Sequence, residues 1–175
     1  MKKWMRCSVG FLMVAAALAG CSQPGPAPEK NAAATPSAAP DASFILTELP
    51  ADAQEVGAAI KGDGEDITVV GLIGGSRAPF VADLAAFTIV DTAIPYCSKD
   101  EGCPTPWDYC CKTNELKGNT ALVKVIGADG NVVSKDARAL LGVKELSKVV
   151  VKGKAQRDTK GNLTILAQKV HVTSE

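Results

Sequence analysis

The sequence predicts a mainly β domain: a small five-stranded Greek-key barrel with one or two short helices, or alternatively the same strands packed as a β-sandwich. Three observations predict it. Five β-branched runs end in Gly, Asp or Asn turns, and helical spacing is confined to two short stretches. The first 43 residues have the composition of processing and tether segments, which leaves one domain of ordinary size over residues 44–175.

Residues 1–20 read as an export signal. "MKKWMR" is a positive n-region, and "SVGFLMVAAALAG" is an apolar stretch of 13 residues, short of the ~20 needed to span a bilayer as a helix. The run that follows, Leu18, Ala19, Gly20 and Cys21, resembles the lipobox of bacterial lipoproteins. That resemblance implies a diacylglycerol on Cys21, cleavage before it and acylation of the new amino terminus. Each acyl methylene buried in a bilayer contributes about 0.8 kcal/mol, so the implied partner is a membrane. Ser22 after the cysteine is similar to the enterobacterial signal that does not retain a lipoprotein at the inner membrane. The expected address is the non-cytoplasmic side of the cell envelope, periplasmic or outer membrane. Cys7 falls within the removed segment.

Residues 21–43 form the lipid-anchored linker. Five prolines alternate with alanines and small polar residues between Ser22 and Ser43, with no apolar periodicity to bury. Each proline would cost a helix about 3 kcal/mol, so the alanines do not make one.

In the domain, "DAQEVGAAIKG" (52–62) places Val56, Ala59 and Ile60 at helical spacing. Strands are expected at 66–75, 86–91, 120–127, 148–156 and 162–172. Along the last, Leu163, Ile165 and Ala167 face one way and Thr164, Leu166 and Gln168 the other, with a bulge near Lys169 reversing the sense. Between the third and fourth strands, one or two helical turns are expected around 137–141. This element order resembles the OB-fold over about Asp66 to Val172. The chain also resembles a group of bacterial exported proteins that carry the same "CPTPWDYCC" run after an "FTIVD"-like strand. That likeness implies architecture and address and no particular activity.

Chemistry concentrates in the loop 95–113. Cys97, Cys103, Cys110 and Cys111 fall there together with Trp107, Tyr96 and Tyr109, in an insertion of about 28 residues that far exceeds a normal hairpin connection. In an exported chain an even set of thiols is expected to form bridges. A bond between the neighbours Cys110 and Cys111 is set aside, because adjacent Cα atoms lie about 3.8 Å apart, below the usual disulfide range. Two pairings remain open: Cys97 to Cys110 with Cys103 to Cys111, or Cys97 to Cys111 with Cys103 to Cys110. Closing a loop of about 14 residues removes roughly 3 kcal/mol of unfolded-chain entropy.

The alternative is that the same four residues, Cys97, Cys103, Cys110 and Cys111, bind a metal. Against it stand the spacing, which lacks the short chelate step of known zinc folds, and the divergence of neighbouring side chains on an extended backbone. Thiol–disulfide exchange is a third reading, without a C-x-x-C pair to support it. Pro104 and Pro106 stiffen the segment, and Trp107 and Tyr109 are the candidate ligand-binding aromatics.

Other motifs carry less. His171 is the sole histidine and has no nucleophile tied to it. "GDGED" (62–66) lacks a full calcium ligand series, and "GLIGGS" (71–76) lacks phosphate-loop spacing, so bend glycines explain the latter. No catalytic motif and no cofactor are expected. Three of the 19 basic residues, Lys2, Lys3 and Arg6, lie in the signal, which leaves 16 against 19 acidic residues, a net −3. Nucleic acid is disfavoured as a partner: the predicted strands carry only Phe87 as an aromatic, and Lys148, Lys152, Lys154 and Arg157 make one modest strip. The expected function is a non-enzymatic, membrane-anchored binding or accessory module for a protein or small molecule. The alternative is a thiol-redox or metal-handling lipoprotein.

Overall fold

A computed structural model describes residues 39–98, 100 and 102–173. The signal segment, Cys7, the lipobox with Cys21 and the tether up to residue 38 lie outside the described residues.

Among the described residues, six strands and two short α-helices follow in chain order: β1 (Gln54–Glu55), α1 (Val56–Ala59), β2 (Asp66–Ile73), β3 (Ala86–Val90), β4 (Thr120–Val125), α2 (Ala137–Leu141), β5 (Lys148–Arg157) and β6 (Leu163–Val172). Five of them close a ring. β2 pairs antiparallel with β3, β3 with β4, β4 runs parallel to β6, β6 pairs antiparallel with β5, and β5 returns antiparallel to β2. A ring of backbone hydrogen bonds makes a barrel, and the expected element order, with a helix between β4 and β5, is closed by a parallel β4–β6 pair in an OB-like way. The register leads from Ile73 to Ile89, Ala121, Leu163 and Arg157, which is level with Asp63 when the β2–β5 pairing is extended, so one circuit returns ten residues earlier on β2. That stagger forces the strands to tilt steeply around the axis.

Inward positions alternate as the pleat requires. Val69, Phe87, Ile89, Val123, Val151 and Ile165 are fully buried in one core, which α2 caps with Ala137, Leu140 and Leu141. Asp136 starts α2 by accepting from Arg138 N at 2.8 Å, and Gly142 ends it in the left-handed region at φ 71°. The bulge expected in the last strand falls at Gln168: Lys152 faces Lys169 and Gly153 faces Ala167, which turns Val170 inward. Gly153 is needed there, since a Cβ would overlap the Leu166 carbonyl oxygen.

The 52–62 stretch forms the short helix its spacing predicts, the single turn of α1. Two features were not anticipated. Before α1 comes β1, which lies parallel on β2 through Gln54↔Val69 and Glu55↔Val70. In addition, the chain docks before residue 44. Asp41 N donates to Leu140 O, and Leu46 N and Val170 N exchange bonds with Val170 O and Phe44 O. His171 belongs to this contact, with Nδ1 2.9 Å from Leu46 O, and it is a strand residue holding the strap.

Candidate metal centre

The loop between β3 and β4 is built outward from Asp91. This buried carboxylate accepts from Gly57 N at 2.8 Å and Ala93 N at 2.9 Å, while Asp91 N donates to Asn119 O at 2.9 Å, so both feet of the loop are held together. Glu55 pins the next residue, accepting from Thr92 N at 3.0 Å and Thr92 Oγ1 at 2.5 Å. A small apolar cluster of Val90, Ile94 and Tyr109, with Leu116 against it, supports the interior of the loop.

Proline and a left-handed residue then shape the cysteine segment. Pro106 opens a single 3-10 turn, Pro106–Asp108, where its fixed φ and missing N–H are tolerated. Thr105 Oγ1 donates to Asp108 Oδ2 at 2.6 Å, and Cys110 N donates to Oδ1 at 2.9 Å. Tyr109 follows at φ 56°, and Lys112 N closes a turn onto Tyr109 O at 2.8 Å. Cys110 and Cys111 occupy the middle of that turn. On an extended backbone their side chains would diverge, whereas the turn brings both thiols to one side.

Cys97 reaches the same place because its N–H donates to Pro106 O at 3.3 Å. The outcome is that all four Sγ atoms lie within 4.8 Å of one another. Cys97 stands 3.7 Å from Cys110, Cys103 3.0 Å from Cys110 and 3.3 Å from Cys111, and Cys110 3.8 Å from Cys111. Cys97 is buried, Cys103 half-buried, and Cys110 and Cys111 are exposed.

The sulfurs act on one another's protons. Burial pushes the Cys97 thiol up, but hydrogen bonds from Cys111 and from the Cys103 and Cys110 side chains outweigh it and leave Cys97 below the ordinary thiol value. Cys103 moves the opposite way, because its hydrogen bonds to Cys110 and Cys111 hold its proton. Cys110 is pulled down by its bond with Cys103, yet burial and its contacts with Cys97, Cys111 and Asp108 push it to about 11. The Thr105 hydroxyl keeps the Asp108 carboxyl below the usual range.

The aromatic residues of the loop differ in exposure. Tyr109 is fully buried, so its ring belongs to the loop's own core and is not offered to a ligand; burial pushes its phenol up to about 12. Trp107 is half-buried and donates from Nε1 to Arg77 O at 3.2 Å. Tyr96 is the exposed ring, at 49%. Sequence reasoning missed the seat of this loop. Gly74 and Gly75, just after β2, leave room for it: Gly75 N donates to Trp107 O at 2.8 Å, and a Cβ on Gly74 would stand 2.6 Å from the same oxygen. The "GG" pair was the available signal, and close backbone approach is one of its usual meanings.

Lys148, Lys152, Lys154 and Arg157 all point to solvent along β5, and Phe87 is fully buried. Among the described residues, no helix is long and apolar enough to cross a membrane.

No family model and no curated protein matches the chain. Among solved structures, a putative aspartyl-tRNA synthetase from Leishmania major Friedlin aligns with 75% of this chain at 8% identity and a TM-score of 0.39. This chain covers 23% of that protein's length, and a likeness this low carries no argument about function.

Proposed function

We propose that this chain is a membrane-tethered, non-enzymatic metal-binding module: lipid on Cys21 moors it in the cell envelope, the Pro/Ala-rich linker spaces it from the surface, and the barrel presents a four-cysteine centre. The observation that carries the metal reading is the convergence of Cys97, Cys103, Cys110 and Cys111 within 4.8 Å. Four thiolates about 2.3 Å from a tetrahedral ion stand about 3.8 Å from one another. The Cys97–Cys110 and Cys110–Cys111 separations of 3.7 and 3.8 Å fit that figure. Cys103 has the two shortest contacts and is the sulfur that moves outward on loading. An all-thiolate set selects soft or borderline ions, zinc or copper(I), over magnesium, calcium or manganese.

The experiment is metal analysis with thiol counting on the full-length chain, extracted in detergent without added reductant. One ion per chain is expected. Replacement by cobalt(II) should give the visible absorption of a tetrahedral thiolate site, lost in Cys97→Ser. A chain with neither metal nor free thiol overturns this reading. It would leave the second one, two disulfides among the same four residues, which is favoured by the export signal and the oxidising compartment it implies. The anchor has its own test: intact mass should show acyl chains on a protein beginning at Cys21, and an unmodified amino terminus would remove the membrane assignment.

A further inference from the structure

We propose that the four-cysteine centre hands its ion to a partner protein bearing a pair of thiolates, which approaches through the open side formed by Cys110 and Cys111. This rests on the metal reading above and adds the class of partner that takes the ion. Two observations carry it.

The first is the uneven exposure of the ligands. Cys97 is 2% exposed, whereas Cys110 and Cys111 face solvent. A structural zinc site is closed by its four ligands. Here half of the donor set lies on the surface, so an incoming sulfur can reach the ion while Cys97 holds it from beneath. Each step then balances: the entering thiol forms a metal–sulfur bond and releases its proton, the bond to Cys111 breaks, and the Cys111 sulfur takes up a proton. Repetition at Cys110 leaves the ion on the partner's two thiolates, Cys103 and Cys97; the last two bonds then break as Cys103 and Cys97 each take a proton from solvent and two waters fill the vacated positions, with no change in oxidation state. A carboxylate or a lone imidazole cannot compete with four thiolates for a soft ion, so the acceptor must itself offer paired thiolates.

The second observation is that the centre is separate from what holds the fold. The barrel core, from Val69 through Phe87, Val123 and Leu140 to Val151 and Ile165, includes none of the four cysteines. The apolar support of the loop is the small separate cluster of Val90, Ile94 and Tyr109, with Leu116 against it. Where metal binding is folding, as in small zinc domains, the ion cannot leave without unfolding the chain. Here the five-stranded ring closes through backbone pairing that no sulfur takes part in, so loss of the ion loosens a loop and leaves the barrel.

The test loads the full-length chain with zinc and mixes it with a synthetic peptide carrying one Cys-x-x-Cys pair. Protein and peptide are separated at intervals and zinc is measured in each, with far-ultraviolet circular dichroism recorded in parallel. Transfer should speed up in proportion to peptide concentration, a single-cysteine peptide should be slower, and the β signature should persist after the zinc has gone. A rate independent of peptide concentration, or collapse of the β signature with metal loss, overturns the transfer proposal while the metal reading stands. Failure of the chain to take up zinc at the outset overturns the metal reading itself.

Discussion

Gly74 and Tyr109 touch: a Cβ on Gly74 would come within 2.9 Å of the Tyr109 ring carbon Cε2 and within 2.6 Å of the Trp107 carbonyl oxygen. One glycine after β2 is therefore the seat of the cysteine loop. Gly74→Ala must push the loop backbone away, because a carbonyl oxygen cannot yield as a flexible side chain would. The expected cost is about 1–3 kcal/mol by thermal unfolding, together with weaker cobalt(II) binding. Full metal affinity in this variant would show that the loop sits independently of the barrel.

The Tyr109 hydroxyl is buried and has no hydrogen-bond partner among the described residues. Tyr109→Phe removes an unsatisfied polar atom and keeps the ring, so stability should hold or rise by up to about 1 kcal/mol. Tyr109→Ala should cost about 3–5 kcal/mol through the cavity it leaves. Denaturant titration of both variants checks the pair, and a large loss in Tyr109→Phe would reveal a partner for the hydroxyl.

Asp91 ties the feet of the loop to α1 through Gly57 N and also accepts from Ala93 N. Asp91→Ala strands both donors and should cost about 2–4 kcal/mol, with Asp91→Asn losing less because one oxygen remains. Hydrogen exchange at Gly57 should accelerate in Asp91→Ala. An unchanged exchange rate there would remove Asp91 as the tie.

Glu145 receives Arg138 Nη2 at 2.7 Å. Burial raises its carboxyl, but the hydrogen bond and charge of Arg138 prevail and leave it below the ordinary value. A folded-state pKa below the unfolded one stabilises the protein above the unfolded value, near pH 4.3, and this contribution disappears as pH falls through the folded value. Because the pair is largely solvated, Glu145→Gln should lose only about 0.5 kcal/mol at neutral pH and nothing at strongly acid pH. Arg138→Gln should lose more, since the guanidinium also lies 3.8 Å over the Phe80 ring. Melting temperature against pH for the three proteins reads this directly.

The strands were legible because β-branched alternation and turn residues act locally, and α2 because an Asp, two leucines and a Gly mark its cap, buried face and stop. The short α1 was legible in the spacing of Val56, Ala59 and Ile60, while β1 before it was not, since Gln54 and Glu55 pair with Val69 and Val70 of β2. The start of the strap, 41–43, was hidden inside a linker composition, because its docking is a backbone bond from Asp41 to Leu140, ninety-nine positions away. The convergence of the cysteines was illegible for a similar reason, since it required a bend between Cys110 and Cys111 that no short-range pattern signals. Divergent neighbours are the rule for extended chain, and the left-handed Tyr109, held by packing against Gly74 just after β2, replaces that chain with a turn.

The sequence by itself determined the five barrel strands, the two short helices, the buried faces and the gathering of four cysteines in one loop, all of which follow from composition and short-range periodicity. Only the tertiary structure decided that the parallel β4–β6 pair closes the ring and that the four sulfurs meet at one point. Both depend on contacts between residues far apart in the chain, whose free energy is set by packing and register and has no signature at any single position.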